Sequence, residues 1–211
     1  MKNLIIIGAG GFAREVYYHA QNSFGFNENW RLKGFLDGDI KLSDEEYKKL
    51  PAPVLGDVDT YKISDDDVFT CAIADSKVRR KFVEKMLERG AEFINIISKQ
   101  SYILPTAEIG RGAIITCNVE ISALVKIGDF VILNTSITVG HDAEIENFSC
   151  VMPQAVICGG VKIGAGVFIG ANATLIPKVK IGDGAYIGAG SVVLKKVPAG
   201  AKVFGNPAIE I

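Results

Sequence analysis

Residues 139–163 read VGHDAEIENFSCVMPQAVICGGVKI, with an aliphatic at every sixth place: Val139, Ile145, Val151, Ile157 and Ile163. The step continues unbroken both ways, from Ile103 through Ile109, Ile115, Ile121, Ile127 and Leu133, and onward through Ile169, Leu175, Ile181 and Ile187 to Val193. A period of six fits neither a helix of period 3.6 nor a lone strand of period 2. It marks a parallel β-helix built from hexapeptide repeats. The fourth place after the aliphatic is small or β-branched almost throughout, as at Ala143, Ser149, Ala155 and Val161. Strand alternation sets both series on the inward face. Glycine often follows the aliphatic, as at Gly128, Gly140 and Gly170, and there it is expected to supply the positive φ of a corner. Three hexads make a triangular coil, so residues 103–198 give about five coils. Such a core is buried only by stacking and needs capped ends. The tail, residues 197–211, is expected to pack on the last coils.

Composition changes near residue 98. The opening MKNLIIIGAGGFAREVYYHA reads as strand, glycine loop and helix, and Gly8-Ala9-Gly10-Gly11-Phe12-Ala13 fits the G-x-G-x-x-G/A pattern. Further strands are expected over residues 32–36, ending in Asp37, over 68–72, and over 93–97, with a helix over 77–89 after Ala74-Asp75. Strands alternating with helices indicate a small parallel α/β sheet. The glycine loop lets a phosphate approach backbone amides at a helix N-terminus. An acid after the second strand is where a ribose or base is read. The sheet is short for a six-stranded dinucleotide fold, which favours a smaller nucleotide. The chain therefore divides into a Rossmann-like α/β domain, 1–98, and a β-helix domain with its tail, 99–211.

The 211 residues are ample for two domains. A net charge of −1 offers no broad basic surface to nucleic acid. No apolar run reaches membrane-spanning length and the chain enters a strand at once, so the expected location is cytoplasmic. The four cysteines, Cys71, Cys117, Cys150 and Cys158, share no metal-type spacing.

There are two histidines. His19 ends the first helix, a common surface position. His141 lies inside the hexads, two places after Val139, where the phase points it outward. Asp142 follows and can hold the ring. Imidazole is the usual side chain for taking a proton from an amine or hydroxyl nucleophile near neutral pH. Eighteen residues on, Gly159-Gly160 leaves room for a thin thioester arm, and a backbone N–H there suits an oxyanion. A zinc site on this scaffold needs three histidines, so no metal is expected.

Leu133-Asn134-Thr135-Ser136 leading to Gly140-His141-Asp142, with the tail Gly205-Asn206-Pro207-Ala208, resembles the hexapeptide-repeat acyltransferases. GAGGFAREV, GFLDGD and AIADSKVRR narrow the resemblance to the sialic-acid O-acetyltransferase-like branch, which includes N-acetyltransferases of nucleotide-linked 4-amino-dideoxy sugars. The resemblance implies a left-handed β-helix and a homotrimer with acetyl-CoA between neighbouring solenoids. It implies His141 as general base, Asp142 as its acidic neighbour and Asn134 on the site wall. Cys150, Gly159, Ala171 and Ala189 fall at coenzyme-contacting positions. Gly10, Gly11 and Phe12 match the nucleotide-sugar loop, Asp37 the base-reading acid, and Ala74 a position where relatives carry glycine; Gly38 stands where a second acid is usual. The function expected is direct acetyl transfer to the amine of a nucleotide-linked amino-dideoxy sugar. Acetylation of a sialic-acid-like hydroxyl, and a non-catalytic nucleotide-binding scaffold, are the alternatives.

Overall fold

The computed structural model describes residues 1–37 and 43–211, so Gly38 lies outside the described residues. The chain divides into two compact units, Met1–Lys99 and Gln100–Ile211.

In the first unit, β1 (Lys2–Ile7), β2 (Trp30–Asp37), β3 (Val54–Asp57) and β4 (Asp67–Cys71) form a parallel sheet in the order β3-β2-β1-β4. Helix α1 (Gly11–Gln21) follows β1, and α3 (Ser76–Glu88) follows β4. Leu4, Ile5, Ile6 and Ile7 are fully buried, which is why β1 reads as an unbroken apolar run. The order reverses between β1 and β4, and a crevice at such a switch point is where open α/β sheets bind ligands. Two elements lack an expectation above, β3 and the one-turn helix α2 (Asp44–Tyr47). The strand expected over 93–97 is instead a single bridge from Phe93 to Phe69 and the two-residue strand Ile96–Ile97.

The edge of β4 carries a polar cluster. Lys33 donates to Asp67 at 2.7 Å, and Asp67 also accepts from the Tyr61 hydroxyl at 2.9 Å and the Ser64 N–H at 3.0 Å. Burial acts to raise the Asp67 carboxyl pKa, but these three donors together outweigh it and hold the group below the usual carboxylate range.

The second unit is a left-handed parallel β-helix. Two-residue strands recur every six residues from Tyr102–Ile103 to Val192–Val193, and each pairs in parallel with the strand eighteen residues on. The sixth-place aliphatics from Ile115 to Val193 all point into the core, none more than 4 % exposed. The tail closes the C-terminal end: Lys202–Phe204 pairs with the strand Tyr186–Ile187, and Ile209–Glu210 pairs back antiparallel to it.

The corners obey a rule that the glycine pattern does not reveal. Positive φ falls on the third residue after each aliphatic from Ile109 to Ile187, at φ near +60° in Asn118, Leu124, Phe130, Ser136, Asp142, Phe148 and Gln154. The glycines directly after the aliphatic have ordinary φ. They are small because the next coil passes close: a Cβ on Gly140 would lie 2.6 Å from the Gly159 nitrogen, and one on Gly170 would lie 2.5 Å from the Ala189 nitrogen. A non-glycine residue in the left-handed region costs about 1–2 kcal/mol, and each coil offsets it by stacking.

Asp67 has a folded pKa below its unfolded value, so its stabilisation is complete above the unfolded value and is lost as pH falls through the folded one. Asp67→Ala is expected to lower the unfolding free energy by about 2–3 kcal/mol near neutral pH. The gap between wild type and variant, read by urea unfolding at a series of pH values, should narrow below the normal aspartate range.

Candidate active site

His141 and Asp142 occupy the second and third places of one corner. The φ of +60° at Asp142 is a conformation that aspartate tolerates better than most residues. It accompanies a contact of 2.7 Å between Asp142 Oδ2 and His141 Nδ1. In the neutral imidazole, a carboxylate there favours the tautomer with the proton on Nδ1 and the lone pair on Nε2. Both side chains are open, at 72 % and 58 % exposure.

Gly159 forms the floor beneath the ring. A Cβ on Gly159 would lie 2.7 Å from His141 Nε2 and 2.8 Å from Cε1, closer than any real side chain can sit. The imidazole therefore rests on the bare backbone of the next coil. At three corners of another column the N–H at the corresponding place is bound by a side chain from the next coil: Asp129 accepts from Arg111, Asn147 from Asp129, and Asp183 from Ala165. Gly159 has no side chain to do this. The two glycine amides also differ. The Gly160 N–H is spent on the His141 carbonyl at 2.8 Å, whereas the Gly159 N–H makes no hydrogen bond among the described residues. Of the two amides, the Gly159 N–H is the one left to meet a ligand.

Asn134 lies at the preceding corner of the same coil, 7 % exposed. Its Oδ1 accepts from the Thr135 N–H at 2.7 Å and from the Thr135 hydroxyl at 3.2 Å, which braces the turn. Ala171 and Ala189 share that corner edge in later coils; Ala171 is half-buried and Ala189 exposed. Cys150 is 1 % exposed, in register between Ile132 and Phe168. Any coenzyme contact at Cys150 is therefore by backbone. Cys71 is no nucleophile at neutral pH, because burial pushes its thiol up to about 12. His19 is half-buried at the end of α1, and burial lowers its pKa against the pull of Glu15.

In the first unit, the two helix N-termini at the switch point differ. Asp75 caps α3, its carboxylate accepting from the N–H groups of Lys77 and Val78 at 2.9 Å each. That anion is built in. The N-cap of α1 is Gly10, without a side-chain cap and without an acid in the first turn. A Cβ on Gly10 would meet nothing within 4 Å. An uncapped helix N-terminus is a ready site for a phosphate. Phe12 is half-buried beside these exposed glycines. Asp37 ends β2 at 8 % exposure and accepts from the Tyr47 hydroxyl. Ala74 is half-buried after β4, and its carbonyl, with that of Ile73, accepts from the buried Arg79 at 2.8 and 2.6 Å.

Tyr47 and Arg79 have no expectation above. Arg79 reads as a surface residue of a helix. Tyr47 had a signal: Ser43-Asp44-Glu45-Glu46 is a capping box, with Glu46 Oε2 bound to the Ser43 N–H at 2.9 Å. Among the described residues, no group of three or more His, Cys, Asp or Glu is placed to hold a metal, and no helix is long and apolar enough to cross a membrane.

Residues 3–86 match the family model of the PglD N-terminal domain, and residues 142–177 and 160–195 match that of the bacterial transferase hexapeptide. The chain is 40 % identical over 148 residues to GDP-perosamine N-acetyltransferase of Escherichia coli O157:H7, covering 68 % of this chain and 67 % of the relative. It superposes with a TM-score of 0.88 and 28 % identity on a histidine-to-asparagine mutant of perosamine N-acetyltransferase from Caulobacter crescentus, in complex with CoA and GDP-perosamine, over 100 % of this chain and 97 % of that one. It matches the acetyltransferase domain of PglB from Neisseria gonorrhoeae FA1090, in complex with acetyl coenzyme A, equally well: TM-score 0.88, 28 % identity, 100 % and 99 % coverage. The chain belongs to the hexapeptide-repeat sugar N-acetyltransferases, acyltransferases that carry this N-terminal domain.

Gly159→Ala should leave the fold intact and displace the His141 ring. Acetyl transfer is expected to fall about 10²-fold, the usual effect of an ångström-scale misplacement. A crystal structure of the variant with the ring unmoved would refute the floor role.

Proposed function

We propose that this protein transfers an acetyl group from acetyl-CoA to the amine of a nucleotide-linked amino-dideoxy sugar. The single observation that carries this reading is the His141–Asp142 pair, with Nε2 open above the bare Gly159. His141 takes the proton as the acceptor nitrogen attacks the thioester carbonyl. A C–N bond forms, the C–S bond breaks, and the proton leaves with the departing thiol. The transfer is direct, in a ternary complex. The unbonded Gly159 N–H suits the developing oxyanion.

The nucleotide's phosphates meet the uncapped start of α1 at Gly10 and Gly11, while Asp37 reads the ribose or base and Phe12 and Ala74 line its surroundings. The contrast between the bare α1 and the Asp75-capped α3 supports this assignment. The complexes of the Caulobacter relative with GDP-perosamine support a guanosine diphosphate sugar of that kind and an amine acceptor. A base as exposed as His141 needs a further wall to exclude water. This supports a homotrimer in which the neighbouring copy covers the arm of the coenzyme and Asn134, Cys150, Ala171 and Ala189 contribute contacts along the solenoid.

Thiol release from acetyl-CoA, measured against GDP-, UDP- and dTDP-linked 4-amino sugars, tests the proposal. His141→Ala is expected to lose about 10²–10⁴-fold in turnover while remaining folded. Near-wild-type turnover by that variant would sink the assignment of the base.

Gly10→Asp tests the nucleotide site separately. Gly10 has φ −75° and ψ −169°, which suit an N-cap aspartate. Its carboxylate would occupy the place proposed for phosphate. The KM for the nucleotide sugar should rise about tenfold, with the KM for acetyl-CoA unchanged and the melting temperature equal or higher.

A further inference from the structure

The end of β2 is fixed twice, once through its backbone and once through a side chain. Asp37 lies in register with Asp57 of β3, and its carbonyl accepts from the Val58 N–H at 3.1 Å. That settles the backbone and leaves the carboxyl to be oriented. Asp37 is 8 % exposed, and a carboxylate so far from water needs donors. Tyr47, ten residues on, supplies one: its hydroxyl donates to Asp37 Oδ2.

Helix α2 brings Tyr47 there. A single turn does not persist on helix propensity alone, so its own bonds must close it. The Ser43 N–H and hydroxyl donate to Glu46 Oε2 at 2.9 and 2.8 Å, and the Glu46 N–H returns to the Ser43 hydroxyl at 3.4 Å. The Tyr47 N–H donates to the Ser43 carbonyl at 3.0 Å. The bond from the Ser43 N–H holds the Glu46 carboxyl below the usual carboxylate range, and the Ser43 hydroxyl and the charge of Arg14 act in the same direction. Arg14 lies early in α1, its Nη2 3.8 Å from where a Cβ on Gly11 would be. The turn is thus drawn toward the start of α1 and bonded to the end of β2, the two places assigned above to phosphate and to ribose or base. A phenylalanine would fill the space of the Tyr47 ring. The hydroxyl adds a bond to the acid at that strand end.

We propose that Tyr47 is a positioning residue for the nucleotide: its hydroxyl fixes the Asp37 carboxylate in the orientation that accepts from a pair of adjacent donors. This rests on the role of Asp37 proposed above. A carboxylate accepts through two oxygens and about four lone-pair sites, so a bond from Tyr47 at Oδ2 is compatible with two donors from a ligand. The 2′,3′-diol of a ribose and the N–H edge of a guanine both present such a pair. Holding the carboxylate before the nucleotide arrives removes an ordering cost from binding. Tyr47 acts through Asp37 and takes no part in acetyl transfer.

Tyr47→Phe keeps the ring and removes the hydroxyl. Its KM for a GDP-linked 4-amino sugar should rise about tenfold, with kcat and the KM for acetyl-CoA unchanged. Calorimetry with GDP, 2′-deoxy-GDP and UDP identifies the donors. If 2′-deoxy-GDP binds like GDP, the guanine edge is read; if UDP does, the diol is read. In either case Tyr47→Phe should weaken the two tight nucleotides about tenfold and leave the third unchanged. A loss of equal size for all three marks a purely structural role and overturns the proposal. Asp37→Ala separates it from the reading on which it rests. If Asp37→Ala binds all three as the wild type does, both fall. If Asp37→Ala loses affinity and Tyr47→Phe does not, the positioning role alone falls. In the Asp37→Ala background, Tyr47→Phe should cost nothing further, and additive losses would overturn the coupling.

Discussion

The eighteen-residue register of the β-helix is the constraint on which the rest of this structure depends. Every strand hydrogen-bonds to the strand one coil away, as Thr138–Val139 does to Val156–Ile157. The aliphatics must therefore stack in columns, and so must everything else. Corners stack on corners, which forces the residue after the aliphatic to be small wherever the next coil's backbone comes closest. It also forces a left-handed conformation on the third place, even where the residue is Leu124, Phe148 or Lys178. Isolated corners of that kind would be unfavourable. Repetition makes them affordable, because each coil buries a further ring of aliphatics.

The proposed reacting centre uses this register rather than departing from it. His141 and Asp142 take ordinary corner places, and the third-place φ is part of how the carboxylate meets the imidazole. What this corner adds is an imidazole packed on a glycine one coil away. Three corners of a neighbouring column place Asp129, Asn147 or Asp183 there and bind the amide above. Gly159 leaves that amide and the space beneath the ring open. A site of this kind requires no break in the solenoid, only a missing side chain at one point in a column.

The N-terminal unit follows the same logic with helix ends. Both α1 and α3 start at the switch point of the sheet, where helix dipoles attract anions. One receives its anion from within the chain through Asp75, and the other is left bare at Gly10. Asp75, which the sequence sets at a strand end beside Ala74, is therefore a structural cap. Deeper in, Arg79 spends its charge on the carbonyls of Ile73 and Ala74, and so fixes the loop after β4.

The sequence by itself determined the β-helix, because a period of six fits no other regular structure. It also determined the strand–glycine loop–helix opening and the singular place of His141-Asp142, because these are matters of local spacing. Only the tertiary structure decided why the corner glycines are glycine, since close approach between coils is invisible along the chain. It alone decided that the Gly160 amide is spent and the Gly159 amide is not. It alone brought Tyr47 to Asp37, through a capping-box helix. Hexad spacing records which residues share a column; hydrogen bonding between coils decides which of them meet.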